Sequence, residues 1–393
     1  MKKVKIGLFG FGIVGQGTYD IIRKHSSFEI TFSKICVKDK NKRRSIDLNH
    51  FTFDKNDLLN DSSIDVIIEV INDVDAAFKI VSQALRNGKD VVTSNKKMLA
   101  EHLDELQLLQ KETGSTLLYE GSACASIPII RTLEEYHDND FLDEVSGIFN
   151  VSTNYMLTKI FKEDKDFDIA LKQAQDLGYA ESDPTLDIIG YDSLYKLIII
   201  TMHAYGLCVD PQNVVVHGIQ YLSRHDINYA NERGAIVRHT ATVRKTGDNK
   251  IALYVLPQFV YANDNLYDVD HEYNAINIDA EFCGMQFYQG IGAGGHATGF
   301  AILSDLSALL YEYKYEYKKQ LSDRKLAQDN EEEIEIYLRY YDENNLSHFN
   351  FEHISARYTS DTHNYVIGKI KLQALLDSKV LNTADVFVAI TGK

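Results

Sequence analysis

The sequence has few cysteines, and they lie far apart. Cys36, Cys124, Cys208 and Cys283 form no CxxC pair. Disulfide frameworks and zinc sites usually show cysteines at short, regular spacings, so this pattern argues against both. The scattered cysteines predict a reducing compartment, the cytoplasm.

Positive charge and long apolar runs are also scarce. The chain has 41 lysines and arginines against 57 aspartates and glutamates. Its net charge of −16 argues against nucleic acid and anionic membranes as partners. The most apolar later segment, residues 197–202, is too short to span a bilayer. Glycines interrupt the apolar start of the chain and no cleavage motif follows, so this start predicts a strand rather than a signal peptide.

The first motif is glycine-rich and follows a predicted strand. Residues 4–9 are apolar, as in a buried parallel strand, residues 10–15 follow the GxGxxG pattern, and residues 18–25 predict a helix. In this context the first two glycines allow a tight turn and close approach of a pyrophosphate, and the third lets helix and strand pack together. A structural glycine turn is the alternative. The predicted dinucleotide contacts are Gly10, Gly12, Ile13, Val14 and Gly15.

The residues after the second predicted strand (28–37) indicate which dinucleotide the chain binds. Lys38 and Asp39 follow this strand, and Lys40, Lys42, Arg43 and Arg44 come next. An acidic residue here can bind the ribose 2′-hydroxyl of NAD, whereas basic residues accommodate the 2′-phosphate of NADP. The cations favour NADP because several positive charges outweigh one carboxylate at a dianion. A solvated basic loop is the alternative.

Strands and helices then alternate. Strands are predicted at 64–70, 89–93 and 116–119, and helices at 74–86 and 98–111. This alternation predicts a Rossmann-type, doubly wound parallel sheet that binds its cofactor at the carboxyl ends of the strands. Thr93 ends one such strand and Lys96 follows it. Both are predicted cofactor contacts, and Lys96 could instead contact the reacting carbonyl. Lys96 is equally well explained as a surface residue at the start of the next helix.

Residues 178–197 combine carboxylates with a lysine. The charged residues of this stretch are Glu181, Asp183, Asp187, Asp192 and Lys196. If Gly190 opens a helix, Asp192 and Lys196 lie on one face of its first turns. A lysine held between carboxylates in a closed cleft can donate a proton, and the same carboxylates can hold the amino group of an amino-acid substrate. The alternative is an ordinary i,i+4 ion pair.

Several segments together resemble homoserine dehydrogenase. In chain order they are GLFGFGIVGQG (7–17), VVTSNKKMLA (91–100), YEGSACASIPIIRTL (119–133), GIFNVSTNYMLTKI (147–160), GYAESDPTLDIIGYDSLYKL (178–197) and GIGAGGHATGFAILSDL (290–306). They follow the family's order over residues 4–318, and the segment ending near Lys196 is the most specific. At residues 147–160 the resemblance implies a strand and a turn.

The resemblance implies reversible, NAD(P)-dependent reduction of L-aspartate 4-semialdehyde to L-homoserine, in threonine, methionine and isoleucine biosynthesis. It implies that Lys196 donates the proton and that Lys96 lies where nicotinamide and substrate meet. It also implies a homodimer or homotetramer. Substrate binding is implied for Glu181, Asp187 and Asp192, a cofactor contact for Gly294, and a sodium ion for Glu120, Ala123, Ala125 and Ile127.

Departures from the family pattern leave alternatives open. Residues 123–126 replace consecutive glycines beside the implied sodium site, Val151 replaces a glycine, and Ile291 replaces a proline. One alternative is an oxidoreductase of related architecture that acts on another small aldehyde or keto acid. Another is a catalytically weak homologue that binds nucleotide and acts as a regulatory protein.

The later part of the chain predicts two further domains. Strands are expected at 141–150, 214–219, 235–243, 251–255 and 281–288, and helices at 167–177 and 299–315. A charged linker is predicted at 321–333. The segment after it resembles a degenerate ACT domain, in which residues 342–350 replace the first helix. Its predicted elements are strands at 334–341, 351–359, 365–371 and 384–390 and a helix at 372–378. Amino-acid binding, for example of threonine, and a structural or dimerising role are both open for it.

The 393 residues are therefore expected to form three domains. Residues 1–130 are predicted to bind the dinucleotide. Residues 131–320 are predicted to form an α+β catalytic and dimerisation domain, from which residues 290–320 return to the first domain. Residues 330–393 are predicted to form the small ACT-like α+β domain.

Overall fold

The computed structural model describes residues 3–25, 28–321 and 325–392. The chain forms two compact units, Met1–Tyr136 with Ala293–Lys318, and His137–Gly292 with Lys319–Lys393. Residues 322–324 of the predicted linker lie outside the described residues, and the predicted division into three domains stays a prediction. Within the described ranges, no helix is both long enough and apolar enough to cross a membrane.

The secondary-structure elements are numbered along the chain. The strands are β1 (Lys3–Phe9), β2 (Glu29–Cys36), β3 (Phe51–Thr52), β4 (Val66–Glu69), β5 (Asp90–Thr93), β6 (Leu117–Leu118), β7 (Leu142–Ile148), β8 (Val215–Val216), β9 (Ala235–Gly247), β10 (Lys250–Tyr261), β11 (Tyr273–Ala280), β12 (Gln286–Ile291), β13 (Ala327–Gln328), β14 (Glu333–Tyr340), β15 (Phe351–Thr359), β16 (Asn364–Lys371) and β17 (Val386–Ile390). The α-helices are α1 (Ile13–His25), α2 (Asn56–Leu59), α3 (Val74–Arg86), α4 (Lys96–Thr113), α5 (Ile129–Arg131), α6 (Val151–Glu163), α7 (Phe167–Asp176), α8 (Thr185–Ile188), α9 (Tyr191–Tyr205), α10 (Arg224–Glu232), α11 (Gly295–Leu309), α12 (Lys318–Leu321), α13 (Glu343–Leu346) and α14 (Leu372–Leu376).

The first unit is built on a parallel sheet with the strand order β3-β2-β1-β4-β5-β6. The inner strands β1 and β4 carry fully buried apolar side chains such as Ile6, Leu8 and Ile67, as expected when helices cover both faces. The order reverses between β1 and β4, which makes this the topological switch point of a doubly wound fold. The predicted Rossmann-type sheet is confirmed.

Helix α11 belongs to the first unit and packs closely on α1. A Cβ on Gly17 would lie 2.1 Å from the Gly295 carbonyl oxygen, so only glycine allows the two backbones to approach this far. The predicted helix at 299–315 was wrong at both ends, because α11 begins at Gly295 and ends at Leu309. Beyond its end, Tyr315 and Tyr317 are buried by the core of the unit rather than arranged along a helix.

The second unit is built on a mixed sheet in the order β12-β11-β7-β9-β10-β17-β14-β16-β15, with β8 and β13 also pairing with β10. Strands β9 and β10 form its long antiparallel centre. The predicted strand at 281–288 was wrong in its position, because residues 273–280 form β11, a turn follows, and β12 begins at Gln286. The turn expected within 147–160 is the start of α6, whose N-cap Asn150 accepts the Thr153 N–H at 2.8 Å.

The interior of the second unit contains helix α9. Every residue from Asp192 to Tyr205 in it is buried, as is typical of a helix surrounded by protein. Gly190 precedes it with a φ of 99°, and a Cβ there would lie 3.0 Å from the ring of His239. The predicted opening of a helix at Gly190 is confirmed.

Candidate active site

The glycine-rich loop joins β1 to α1 in the first unit. Gly10 has a φ of 99°, and its N–H donates to the Cys36 carbonyl at 3.0 Å. A Cβ on Gly15 would lie 2.4 Å from the Gly10 oxygen, whereas no described atom lies within 4 Å of the Cβ position on Gly12. Gly15 therefore lets strand and helix pack together, and Gly12 leaves the backbone open to a pyrophosphate.

Two helix N-termini lie side by side at this loop. Helix α1 begins at Ile13 and α11 at Gly295, and a Cβ on Gly295 would lie 2.5 Å from the Ile13 carbonyl oxygen. Gly294 is the N-cap of α11, with a φ of 117°. Because helix N-termini favour anions, Gly294, Ile13 and the neighbouring Val14 lie at a place suited to phosphate groups. Their contact with a cofactor stays a prediction.

The loop after β2 carries Lys38 and Asp39, which are both exposed. The Asp39 carboxylate accepts the N–H of Asn41 at 2.8 Å, which makes a local turn. The Arg44 guanidinium donates to the carbonyls of Asp39 and Lys42, at 2.8 Å for Lys42. The Asp39 carboxylate is thus partly engaged within the loop.

A buried carboxyl group that the sequence analysis missed lies at the end of β4. Thr93 donates through Oγ1 to Glu69 Oε2 at 2.6 Å, and the Ile71 N–H donates to Oε1 at 2.7 Å. Burial raises the pKa of Glu69 to about 7, against the effect of these hydrogen bonds. A glutamate within the apolar run 64–70 was the available signal. Thr93 therefore lies at the predicted strand end and its hydroxyl donates to Glu69. Its cofactor contact stays a prediction.

Lys96 is the first residue of α4 and is half-buried. Asn95 precedes it as the N-cap and accepts the Met98 N–H at 3.0 Å. The helix therefore fixes the backbone of Lys96 at the carboxyl edge of the parallel sheet, where cofactors bind in this fold. The role of Lys96 stays a prediction.

The loop with the implied sodium ligands is buried in the first unit. The Glu120 carboxylate accepts the backbone N–H groups of Ile130 and Arg131, each at 2.9 Å. Ala125 has a φ of 46°, a left-handed conformation that usually selects glycine. Ala125 therefore keeps the backbone conformation that a glycine would adopt at this position.

In the second unit, Lys196 lies on α9 with its side chain 8% exposed. Its Nζ is 2.9 Å from Asp192 Oδ2 and donates to the Phe149 carbonyl at 2.6 Å. The predicted i,i+4 pairing is therefore present, and it is buried. An ammonium has three N–H donors, and these two contacts use two of them, so one donor remains for another acceptor.

Asn150 joins the two aspartates of the cluster. Its side-chain N–H₂ donates to Asp187 Oδ1 at 2.8 Å and to Asp192 Oδ2 at 2.9 Å. Ser152 Oγ lies 2.8 Å from Asp187 Oδ2. The structure thus brings Asp187, Asp192 and Lys196 together around Asn150. We call these four residues the lysine–aspartate cluster.

The contacts described for the other acidic residues of the stretch are made with residues outside this cluster. Glu181 is exposed, and its carbonyl accepts the Gln175 side chain at 3.1 Å. Asp183 accepts the backbone N–H of Thr185 at 3.1 Å, at the start of α8. The predicted substrate contact of Glu181 stays a prediction.

A buried histidine pair supports the start of α9. His239 packs against Gly190, and one of its ring nitrogens lies 3.2 Å from the His217 carbonyl. Burial lowers the pKa of both imidazoles to about 4, which keeps them neutral near pH 7. Neutral side chains here add no positive charge beside Asp192.

Comparison with known proteins identifies the family of the chain. A family model described as homoserine dehydrogenase matches residues 128–307, and one described as its NAD-binding domain matches residues 10–120. A homoserine dehydrogenase of Bacillus subtilis (strain 168) is 36% identical over 319 residues, which cover 79% of this chain and 73% of the relative. One of Helicobacter pylori is 34% identical, with coverages of 78% and 73%.

Solved structures give the same result. The crystal structure of a homoserine dehydrogenase from Thiobacillus denitrificans is 26% identical, has a TM-score of 0.85, and covers 99% of this chain and 98% of that one. A hyperthermophilic archaeal homoserine dehydrogenase in complex with NADPH is 27% identical, with a TM-score of 0.69 and coverages of 80% and 99%. The chain belongs to the homoserine dehydrogenase family.

Proposed function

We propose that the lysine–aspartate cluster is the catalytic centre for interconversion of L-aspartate 4-semialdehyde and L-homoserine. When bound, the nicotinamide cofactor supplies or accepts the hydride. During reduction, negative charge grows on the aldehyde oxygen. The remaining N–H of Lys196 donates to this oxygen and then supplies the proton. In the reverse direction the neutral amine of Lys196 accepts the hydroxyl proton and becomes the ammonium.

The charge of the cluster supports this proposal most strongly. Asp187 and Asp192 carry two negative charges, and Lys196 carries one positive charge, so one negative charge is in excess. Asn150 holds the two carboxylates near each other through one amide group. An excess carboxylate in a partly buried site is the natural partner of the substrate's α-ammonium. The cluster can therefore bind the amino group and protonate the oxygen of one small molecule.

We propose NADP as the preferred cofactor. The cations after β2 are suited to a 2′-phosphate, and the Asp39 carboxylate is partly occupied by Asn41. The NADPH bound by the archaeal relative also favours this choice. We expect a lower Kd for NADPH than for NADH by fluorescence titration. The reverse order would contradict the proposal.

We also propose a sodium ion at Glu120, Ala123, Ala125 and Ile127. Glu120 would contribute an oxygen, since each of its carboxylate oxygens accepts one backbone N–H and keeps a further lone pair. Oxygen donors suit a hard cation, and the left-handed Ala125 turns the loop as a site of carbonyl groups requires. A higher Tm in sodium chloride than in choline chloride would support the ion, and equal Tm values would contradict it.

We propose further that the protein is a cytoplasmic homodimer or homotetramer with an ACT-like C-terminal module, in amino-acid biosynthesis. Phe287 and Ile291 on the edge strand β12 are 39% and 45% exposed, which supports an interface there. The C-terminal strands are paired in the order β17-β14-β16-β15 and alternate with α13 and α14 as a β-α-β-β-α-β module. Light scattering tests the oligomer, and inhibition by threonine tests an effector role.

Two aspartates of one stretch provide the test of substrate binding. Asp187→Asn should raise the KM for L-homoserine about 10- to 100-fold, because it removes a charged partner of the substrate ammonium. Asp183→Asn, four residues away and outside the cluster, should leave the KM unchanged. Equal KM values in both variants, with an unaltered Kd for NADPH, would contradict the assignment of Asp187.

A further inference from the structure

A second group of reactive side chains lies in the second unit, at the end of β7 opposite to the lysine–aspartate cluster. His137, Asp140 and Cys283 each present one potential metal-ligand atom, and these atoms all lie within 4.8 Å of one another. His137 and Asp140 precede β7, and Cys283 lies in the turn between β11 and β12. The homoserine dehydrogenase reaction uses none of them.

The hydrogen bond to Gln286 favours the histidine tautomer that leaves Nδ1 for a metal ion. One ring nitrogen, Nε2, lies 3.2 Å from Gln286 Oε1, which also accepts the Tyr288 hydroxyl at 2.8 Å. Because this oxygen is an acceptor, Nε2 carries the proton and Nδ1 carries the lone pair. Nδ1 lies 3.8 Å from Asp140 Oδ2. The hydrogen bond to Gln286 thus orients the ring as outer partners do in known metal sites.

The carboxylate is fixed by the backbone through one oxygen only. Asp140 Oδ1 accepts the N–H groups of Phe141 at 2.8 Å and Phe282 at 3.2 Å, which tie the two segments together. The other oxygen, Oδ2, is buried 3.8 Å from His137 Nδ1, and the Cys283 thiol hydrogen-bonds to the same carboxylate. A cation that displaces the thiol proton would take the place of this hydrogen bond and neutralise the buried carboxylate.

We propose that His137, Asp140 and Cys283 bind a zinc ion. Zinc takes nitrogen, oxygen and thiolate ligands together, at bond lengths that separate tetrahedral ligand atoms by roughly 3.3–3.8 Å. The exposed Cys283 gives the ion a path of entry and loses its thiol proton to solvent when zinc binds. The thiolate and the carboxylate balance both charges of the ion, and water completes the coordination.

The arrangement does not fit a nucleophilic triad. In a triad the imidazole lies between nucleophile and carboxylate and uses one nitrogen for each. Here Nε2 is occupied by Gln286, and the three ligand atoms converge on one point. The cysteine spacing gave no sign of this site, because its three ligands are of different types and come from distant parts of the sequence.

The site is compatible with an assembly through β12. Side chains alternate along a strand, so Gln286 and Tyr288 point to one face while Phe287 and Ile291 point to the other. Contacts through the exposed apolar face would leave the metal ligands in place. The zinc would clamp the β11–β12 turn to the start of β7.

The test is competition for Zn²⁺ between a chromophoric chelator and the full-length chain after EDTA treatment. We expect one zinc per chain. Cys283→Ser should weaken binding at least about 100-fold, and Gln286→Leu about 10-fold. Cys208→Ser is the matched control and should bind as the wild type does. With Co²⁺ as probe, a thiolate-to-metal charge-transfer band should appear and be absent in Cys283→Ser.

Failure of the folded wild-type chain to bind zinc stoichiometrically would overturn the proposal. Undiminished binding by both Cys283→Ser and His137→Gln would do the same. If His137→Gln does not fold, the zinc affinity of Cys283→Ser decides alone, because Cys283 is exposed.

Discussion

Replacing Lys196 with methionine tests the proposed proton donor directly. Methionine is unbranched and of similar length, so it fills the space on α9 without the ammonium group. The change removes the donor to the substrate oxygen and the contacts to Asp192 and Phe149 at 2.9 and 2.6 Å. It leaves the nucleotide loop of the first unit untouched.

The magnitude follows from what the ammonium does. A positioned proton donor contributes about 10²- to 10⁴-fold to rate, and one donor at a developing negative charge about 10²- to 10³-fold. Because one group performs both tasks, we expect kcat to fall about 10³-fold or more, or ~4 kcal/mol. Asp192 keeps its hydrogen bond from Asn150 at 2.9 Å but loses its counter-ion. Loss of a buried ion pair typically costs about 3–5 kcal/mol, so a lower Tm is also expected.

The assay is homoserine-dependent reduction of NADP, with the Kd for NADPH measured on the same samples. Lys172→Met is the matched control, since Lys172 forms an i,i+4 pair with Asp176 at 2.6 Å in which both side chains are exposed. The control should keep wild-type kcat. A folded Lys196→Met variant with kcat within about 10-fold of wild type would refute the role of Lys196 as donor.

Three further predictions concern the Asn150 bridge, the packing of helix α11 on α1, and the buried histidine pair. Asn150→Asp puts a third carboxylate into the lysine–aspartate cluster. It should lower kcat/KM for homoserine about 10-fold or more while NADPH binding persists. An unchanged kcat/KM would contradict the role of Asn150 as the bridge between the two aspartates. Gly17→Ala places a Cβ 2.1 Å from a backbone oxygen of α11, and should lower the free energy of unfolding by about 1–3 kcal/mol in denaturant unfolding. Gly247→Ala is the control, because no described atom lies within 4 Å of its Cβ position, and it should leave this free energy unchanged. Equal effects of the two changes would count against the packing argument. Burial lowers the pKa of His217 and His239 to about 4. The unfolded chain therefore binds these protons first, and stability is lost as pH falls from about 6.5 to 4, by up to ~1.4 kcal/mol per pH unit for each histidine. His239→Gln should reduce this loss in Tm measurements between pH 7 and 5, and a pH profile identical to that of the wild type would contradict the argument.

The parallel sheet was predictable because its signals are local. Strands such as β1 and β4 are covered on both faces and are therefore mostly apolar, and Gly10, Gly12 and Gly15 mark the turn that follows β1. The pairing of Asp192 with Lys196 was predictable for the same reason, since four residues make one helical turn. Only the burial of the pair required the structure.

Contacts between distant residues were not predictable in this way. Asn150 bridges two aspartates that lie 37 and 42 positions away, and no local pattern reports such a contact. The position of β11 and β12 was missed because both strands mix polar and apolar residues. The register of β11 depends on pairing with β7, and that of β12 on pairing with β11. Glu69 was visible as a carboxyl in an apolar strand, but its bond to Thr93 depends on sheet pairing.

The most direct test of the central claim is the absorbance of reduced nicotinamide when the purified chain is mixed with L-homoserine and NADP or NAD. The lysine–aspartate cluster predicts homoserine-dependent reduction, with NADP as the better cofactor. A folded chain that binds NADPH but reduces neither cofactor would contradict the claim that this cluster is a working catalytic centre.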